Sequence, residues 1–116
     1  MSVKIKRVYE EYDKADGYRI LVDRLWPRGI KKENARLDEW NKNIAPSTAL
    51  RKKFHNGVEK FEEFVKNYKK ELLENNKEEL QRIKDLAKKK KLTLLYGSKD
   101  KEYNHAKVLL DMINLK

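Results

Sequence analysis

Apolar and polar residues alternate at the start of the chain, where Val3 and Ile5 are interleaved with Lys4 and Lys6 and lead into Val8 and Tyr9. This period of two predicts a half-buried strand over residues 3–9. After a polar stretch ending in the turn signal Asp16 and Gly17, residues Tyr18, Arg19, Ile20, Leu21 and Val22 form a short apolar run. Such a run suits a strand covered on both faces, and so a central one. Pro27 and Gly29 then break the strand pattern and predict a structured loop over residues 23–30. Residues 31–46 offer only Leu37, Trp40 and Ile44 as apolar anchors before Pro46 closes the segment, a pattern that fits a third strand or an irregular crossover.

Beyond Pro46 the period changes. Ser47 is a suitable N-cap for a short helix over residues 48–55, with Asn56 and Gly57 as its stop. Val58, Phe61, Phe64, Val65, Tyr68, Leu72 and Leu73 recur every three or four residues, giving one apolar stripe on a charged helix. Asn76 and Glu79 have the spacing of a capping box for a further helix, whose inner face carries Leu80, Ile83, Leu86 and Ala87 and whose end meets Lys88 to Lys91. Leu92 to Tyr96 is a second compact apolar run, followed by a tight turn at Gly97 and Ser98 and a last helix through His105, Leu109, Leu110 and Ile113. A strand entered from one helix and left into another predicts a single α/β domain with a small, mostly parallel sheet flanked by helices. Ligands of such folds bind beyond the C-terminal ends of the strands.

Composition narrows the chemistry. The 116 residues suit one domain, and although 41% are charged and 39% apolar, the apolar ones cluster in periodic runs that a folded chain requires. The chain has no cysteine, which excludes disulfides, thiolate nucleophiles and cysteine-based metal centres, and fits a cytoplasmic protein. Charges interrupt the N-terminal residues, so no signal peptide is expected, and no window is long and apolar enough to span a membrane. The net charge of +10, from 29 basic and 19 acidic residues, favours anionic partners. Most basic residues are lysines on segments that read as solvated helix faces, and that reading competes with a nucleic-acid footprint.

The densest chemical group is Asp23, Arg24, Leu25, Trp26, Pro27, Arg28 and Gly29, at the end of the predicted central strand. An aspartate there can hold a proton or a guanidinium, and two arginines with a tryptophan can grip a phosphate, a carboxylate or a stacked base. The competing reading makes Asp23 a loop anchor and Trp26 a lid on the core. Ser47, Thr48 and Arg51 place two hydroxyls and a guanidinium at a helix N-terminus, a setting suited to anions, although capping alone accounts for Ser47. His105 lies early in the last helix, with Tyr96, Gly97 and Ser98 before it, and Asp23 would orient its ring if the two strands are neighbours. His55, at a helix end, reads as a complement to the helix dipole. Two distant histidines make no tight metal site, and four glycines form neither a Walker loop nor a GxGxxG fingerprint, so no metal or nucleotide cofactor is expected.

Leu21 to Ile30, then Ala45, Pro46, Ser47, Thr48, Leu50 and Arg51, and finally Leu94 to Tyr96 with Asn104, His105 and Ala106 resemble the YeaO-like branch of the domain-of-unknown-function 488 family. The resemblance implies an α/β fold that brings the three motifs together, and it implies no reaction. Relatives in the wider family carry a cysteine before and an arginine after the histidine matched by His105. Here Asn104 and Ala106 hold those places, which removes thiol chemistry.

The leading expectation is a pocket for an anionic small molecule, a nucleotide or sugar phosphate, built from Asp23, Arg24, Trp26, Arg28, Ser47, Thr48, Arg51, Tyr96, Ser98, Asn104 and His105. Binding alone and catalysis both fit this set; in a cofactor-free hydrolysis or group transfer, Asp23 and His105 would share the acid–base work. The alternative is a nucleic-acid-binding module that uses the basic surface. The decisive geometric expectation is that Asp23, Arg28, Arg51 and His105 line one accessible cleft.

Overall fold

The computed structural model describes residues 3–55, 57 and 60–115. Four strands, β1 (Val3–Arg7), β2 (Tyr18–Leu21), β3 (Glu39–Trp40) and β4 (Leu92–Tyr96), form one parallel sheet in the order β1-β4-β2-β3. The two apolar runs are thus the inner pair, with Ile20 opposite Leu94, and the α/β class read from the sequence is the observed one. Five helices accompany the sheet: α1 (Lys32–Ala35), α2 (Thr48–His55), α3 (Phe61–Asn75), α4 (Lys77–Lys89) and α5 (His105–Asn114). Strand β1 stops at Arg7, short of the expected Tyr9. The Val8 N–H still reaches Tyr96 O at 2.8 Å, but the Glu10 carboxylate turns back to the Arg7 N–H at 2.8 Å and takes the chain off the sheet. None of the described helices is long and apolar enough to cross a membrane.

Side chains alternate across a strand, so the sheet has two different faces. One carries Ile20, Val22, Leu92, Leu94 and Tyr96 against the apolar stripes of α3 (Phe64, Tyr68, Leu72), α4 (Leu80, Ile83, Ala87) and α5 (Ala106, Leu109, Ile113). Two positions of the expected helix boundary, Asn56 and Val58, lie outside the described residues. The other face is covered by loops. Its upper half is a small core of Val8, Leu21 and Leu95 under Trp26, Ile30, Leu37 and Trp40. Its lower half is ionic: the fully buried Asp16 carboxylate receives Lys4 and Lys6, each at 3.0 Å, and the buried Arg19. Arg19 therefore sits inside an apolar run because a carboxylate meets it there. Next to Asp16, Gly17 adopts φ 68°, and a Cβ at this position would lie 2.5 Å from Lys91 O, the same carbonyl that accepts the Tyr18 N–H at 2.9 Å. Only glycine permits that approach.

Residues 31–46 contain both a one-turn helix, α1, and the two-residue edge strand β3, which pairs with β2. The capping box expected at Asn76 and Glu79 is absent. Helices α3 and α4 abut with a single residue between them, and the Asn76 N–H is committed to Leu72 O at 3.2 Å while its side chain makes no cap. Glu79 instead accepts hydrogen bonds from Asn41 at 2.6 Å and from Arg82, which also bridges to Glu39. The Arg82 bond holds its carboxyl below the usual range in spite of partial burial.

Candidate functional site

Parallel neighbours end side by side, so the residues that follow β2 and β4 meet at one sheet edge. Gly97 donates its N–H to Asp23 Oδ2 at 2.8 Å, and a Cβ at position 97 would lie 2.9 Å from that oxygen. His105 opens α5 directly above. Its Nε2 lies 2.9 Å from Val22 O and 2.9 Å from Asp23 Oδ1, two acceptors, which places a proton on Nε2. The directional hydrogen bond goes to Val22 O, and Oδ1 is buried with the ring beside it and no hydrogen bond of its own. Asn104 caps the helix by accepting the Lys107 N–H at 2.9 Å and donates to Asp100 O at 3.0 Å.

These groups form one end of a cleft of about 320 Å³ that Asp23, Arg28, Arg51 and His105 all line. Arg51 reaches it from α2, and its Nε is buried with no hydrogen-bond partner among the described residues. Arg24 lines the cleft as a staple, donating to Pro46 O at 3.1 Å and Ala45 O at 3.2 Å. Trp26 donates to Ile30 O at 2.7 Å and meets Trp40 edge-on, so its ring belongs to the small core and presents only part of its surface to the cleft. Ser98 Oγ accepts the Asp100 N–H at 3.2 Å, and Ser98 O accepts Arg7 Nε at 2.8 Å, which ties the floor to β1. The side walls are Phe54, Phe64, Pro46 and Tyr103.

Three residues grouped with these by sequence lie elsewhere. Ser47 faces away: its Oγ accepts the Leu50 N–H at 3.2 Å and donates to Glu71 at 2.5 Å, beside a second, polar cavity of about 650 Å³ among the carboxylates of α3 and α4. Thr48 is exposed in the first turn of α2 and does not line the cleft. Tyr96 points into the helix-side core, where burial raises its hydroxyl's pKa, because strand alternation sends only the backbone of Gly97 toward the site. Conversely, Phe54, Phe64 and Tyr103 line the cleft without having been read as site residues, and so do Gly97, read as part of a turn, and His55, read as a complement to a helix dipole. Phe54 and Phe64 were legible only as parts of helices and Tyr103 carried no signal; that the open end of the α3 stripe faces a cavity is a tertiary fact. No group of three or more His, Asp or Glu residues suited to a metal ion occurs among the described residues.

The profile of the inactive DUF488-N3 subclade matches residues 2–116. Among curated relatives, the uncharacterized protein YeaO of Escherichia coli K12 is 52% identical over 113 residues, 97% of either chain. The uncharacterized proteins Mb3100c of Mycobacterium bovis and Rv3073c of Mycobacterium tuberculosis H37Rv are each 38% identical over 112 residues, which cover 97% of this chain and 93% of theirs. No solved structure matches the chain.

Proposed function

The chain belongs to the inactive DUF488-N3 subclade, and from that premise we propose that it binds a small anionic molecule, of nucleotide or sugar-phosphate size or smaller, in the cleft at the ends of β2 and β4 without turning it over. The observation that carries this reading is Arg51. A guanidinium whose Nε is buried and unpaired is costly to keep unless something supplies the missing negative charge, and the cleft is where that charge would enter. Arg28 and the His105 ring stand in the same cleft, and the N-terminus of α5 adds positive potential.

The way Asp23 is used removes it as a base in its own right. One of its oxygens accepts the Gly97 N–H and the other is buried against His105, so the carboxylate positions the ring and is not free to take a proton from a guest. Binding without turnover is the reading that agrees with the designation of the subclade as inactive. The nucleic-acid alternative has less support, because basic side chains already cover the aromatic faces nearest them: Arg7 on Tyr9, Arg36 on Tyr12 and Lys42 on Trp40. A cytoplasmic setting fits a chain without cysteine.

Thermal unfolding and calorimetry with inorganic phosphate and nucleoside monophosphates test the proposal. A ligand at a hundredfold its Kd should raise stability by about 2.7 kcal/mol, and Arg51→Gln should remove that gain. The nucleotides should be recovered intact. No saturable stabilisation by any of these anions would end the reading, and release of inorganic phosphate would replace binding by catalysis.

A further inference from the structure

Several polar groups of the cleft are satisfied from within. Arg24 is spent on two carbonyls, Asn104 uses both ends of its amide, and the Trp26 N–H and the Tyr9 hydroxyl are taken by Ile30 O and Arg28 O. Asp23 is shared between Gly97 and His105. What is left for a guest is Arg51, whose Nε has no partner among the described residues, with the exposed Arg28 and the side chains of His55 and Tyr103 lining the same cleft.

The remaining wall is carbon. Phe54 and Phe64 stack with centroids 4.6 Å apart, and Pro27 and Pro46 close the sides. At the mouth stand Tyr9, Leu25 and Tyr103, three of the six large hydrophobic residues left exposed among those described, at 45%, 60% and 55% exposure. Apolar surface is thus concentrated around the cleft into which Arg51, with its unpartnered Nε, reaches. Exposed apolar surface gathered in this way marks a binding site more often than scattered single residues do. A sugar phosphate seated against this carbon wall would bury more hydroxyls than it has partners for, and each unmade hydrogen bond counts against it. A flat ring would meet aromatic faces and edges, and about 320 Å³ suits a single ring system.

Resting on the anion-binding reading above, we infer that the cleft selects an aromatic ring bearing a single anionic group, an aryl phosphate or aryl carboxylate, and discriminates against sugar phosphates. The anion pairs with Arg51, and the ring lies between the Phe54 and Phe64 wall and the Tyr103 rim.

The test is a matched series measured by thermal shift and calorimetry on the full chain: inorganic phosphate, glucose 6-phosphate, phenyl phosphate and phenol. Phenyl phosphate should bind about tenfold or more tightly than inorganic phosphate or glucose 6-phosphate, the factor expected from burying one ring, and phenol should bind more weakly than phenyl phosphate. Tyr103→Ser, at a rim position whose ring meets Phe61 edge-on, should weaken phenyl phosphate several-fold and leave inorganic phosphate unchanged. Equal affinity for phenyl phosphate and glucose 6-phosphate would overturn the aromatic selectivity while leaving the anion site standing. Phenol binding as tightly as phenyl phosphate, or no binding by any anion, would overturn both.

Discussion

His105 Nε2 lies 2.9 Å from Asp23 Oδ1 and 2.9 Å from Val22 O, so the first residue of the last helix is fastened to the end of the second strand. This contact joins two elements far apart in sequence, and it ties the geometry of the cleft to the stability of the fold. Replacing His105 by Ala removes the donor and the ring that faces a buried carboxylate oxygen. The expected cost is about 2–3 kcal/mol in urea unfolding. With Asp23→Asn already present the same change should cost about 1 kcal/mol less, since no buried charge is then stranded. Equal costs in both backgrounds would mean that the contact is incidental.

Gly97→Ala places a methyl carbon 2.9 Å from Asp23 Oδ2. The backbone or the carboxylate must move, and the expected loss is about 1–3 kcal/mol. Because the obstacle is a side chain, Asp23→Ala should reduce that loss. Denaturation of the single and double variants measures it, and a cost indifferent to the residue at position 23 would contradict the proposed clash.

Arg51→Gln makes the opposite prediction. An Nε–H buried without an acceptor adds nothing to the fold, so the variant without ligand should stay within about 0.5 kcal/mol of the parent or exceed it. A loss of several kcal/mol on urea titration would make Arg51 a structural residue and not a binding one.

Asp16 governs the acid limb. Burial alone would raise its pKa, but hydrogen bonds from Lys4, Lys6, the Asp13 N–H and Arg19 outweigh that and hold the carboxyl well below the ordinary carboxylate range. A group depressed in the folded state contributes fully above its unfolded pKa of about 4 and loses that contribution as pH falls below it. Stability should therefore drop steeply under about pH 4. Asp16→Asn should cost about 3–5 kcal/mol near neutrality, because Arg19 is left buried without its counter-charge, and should flatten the acid limb. Circular dichroism melts across the acid range distinguish these outcomes.

The pattern of apolar residues by itself determined the α/β class, the two inner strands and the stripes of α3, α4 and α5, because each depends on a local period that burial imposes on neighbouring residues. The runs ending in Val22 and Tyr96 would bring Asp23 and the turn before His105 to one sheet edge if the strands were parallel neighbours, and the pairing of β2 with β4 supplies that condition. Local pattern carried less information where one residue serves two elements. Asn76 could not cap α4 while closing α3, and Arg19 occupies an apolar run because Asp16, from outside the strand, supplies its counter-charge. Only the tertiary structure decided that Arg51 turns toward the cleft while Ser47 turns to Glu71, that Tyr96 enters the core while the backbone of Gly97 meets Asp23, and that Phe54, Phe64 and Tyr103 form its walls. Those outcomes depend on how helices α2, α3 and α5 dock on the sheet, a matter of contacts between distant side chains that no local period encodes.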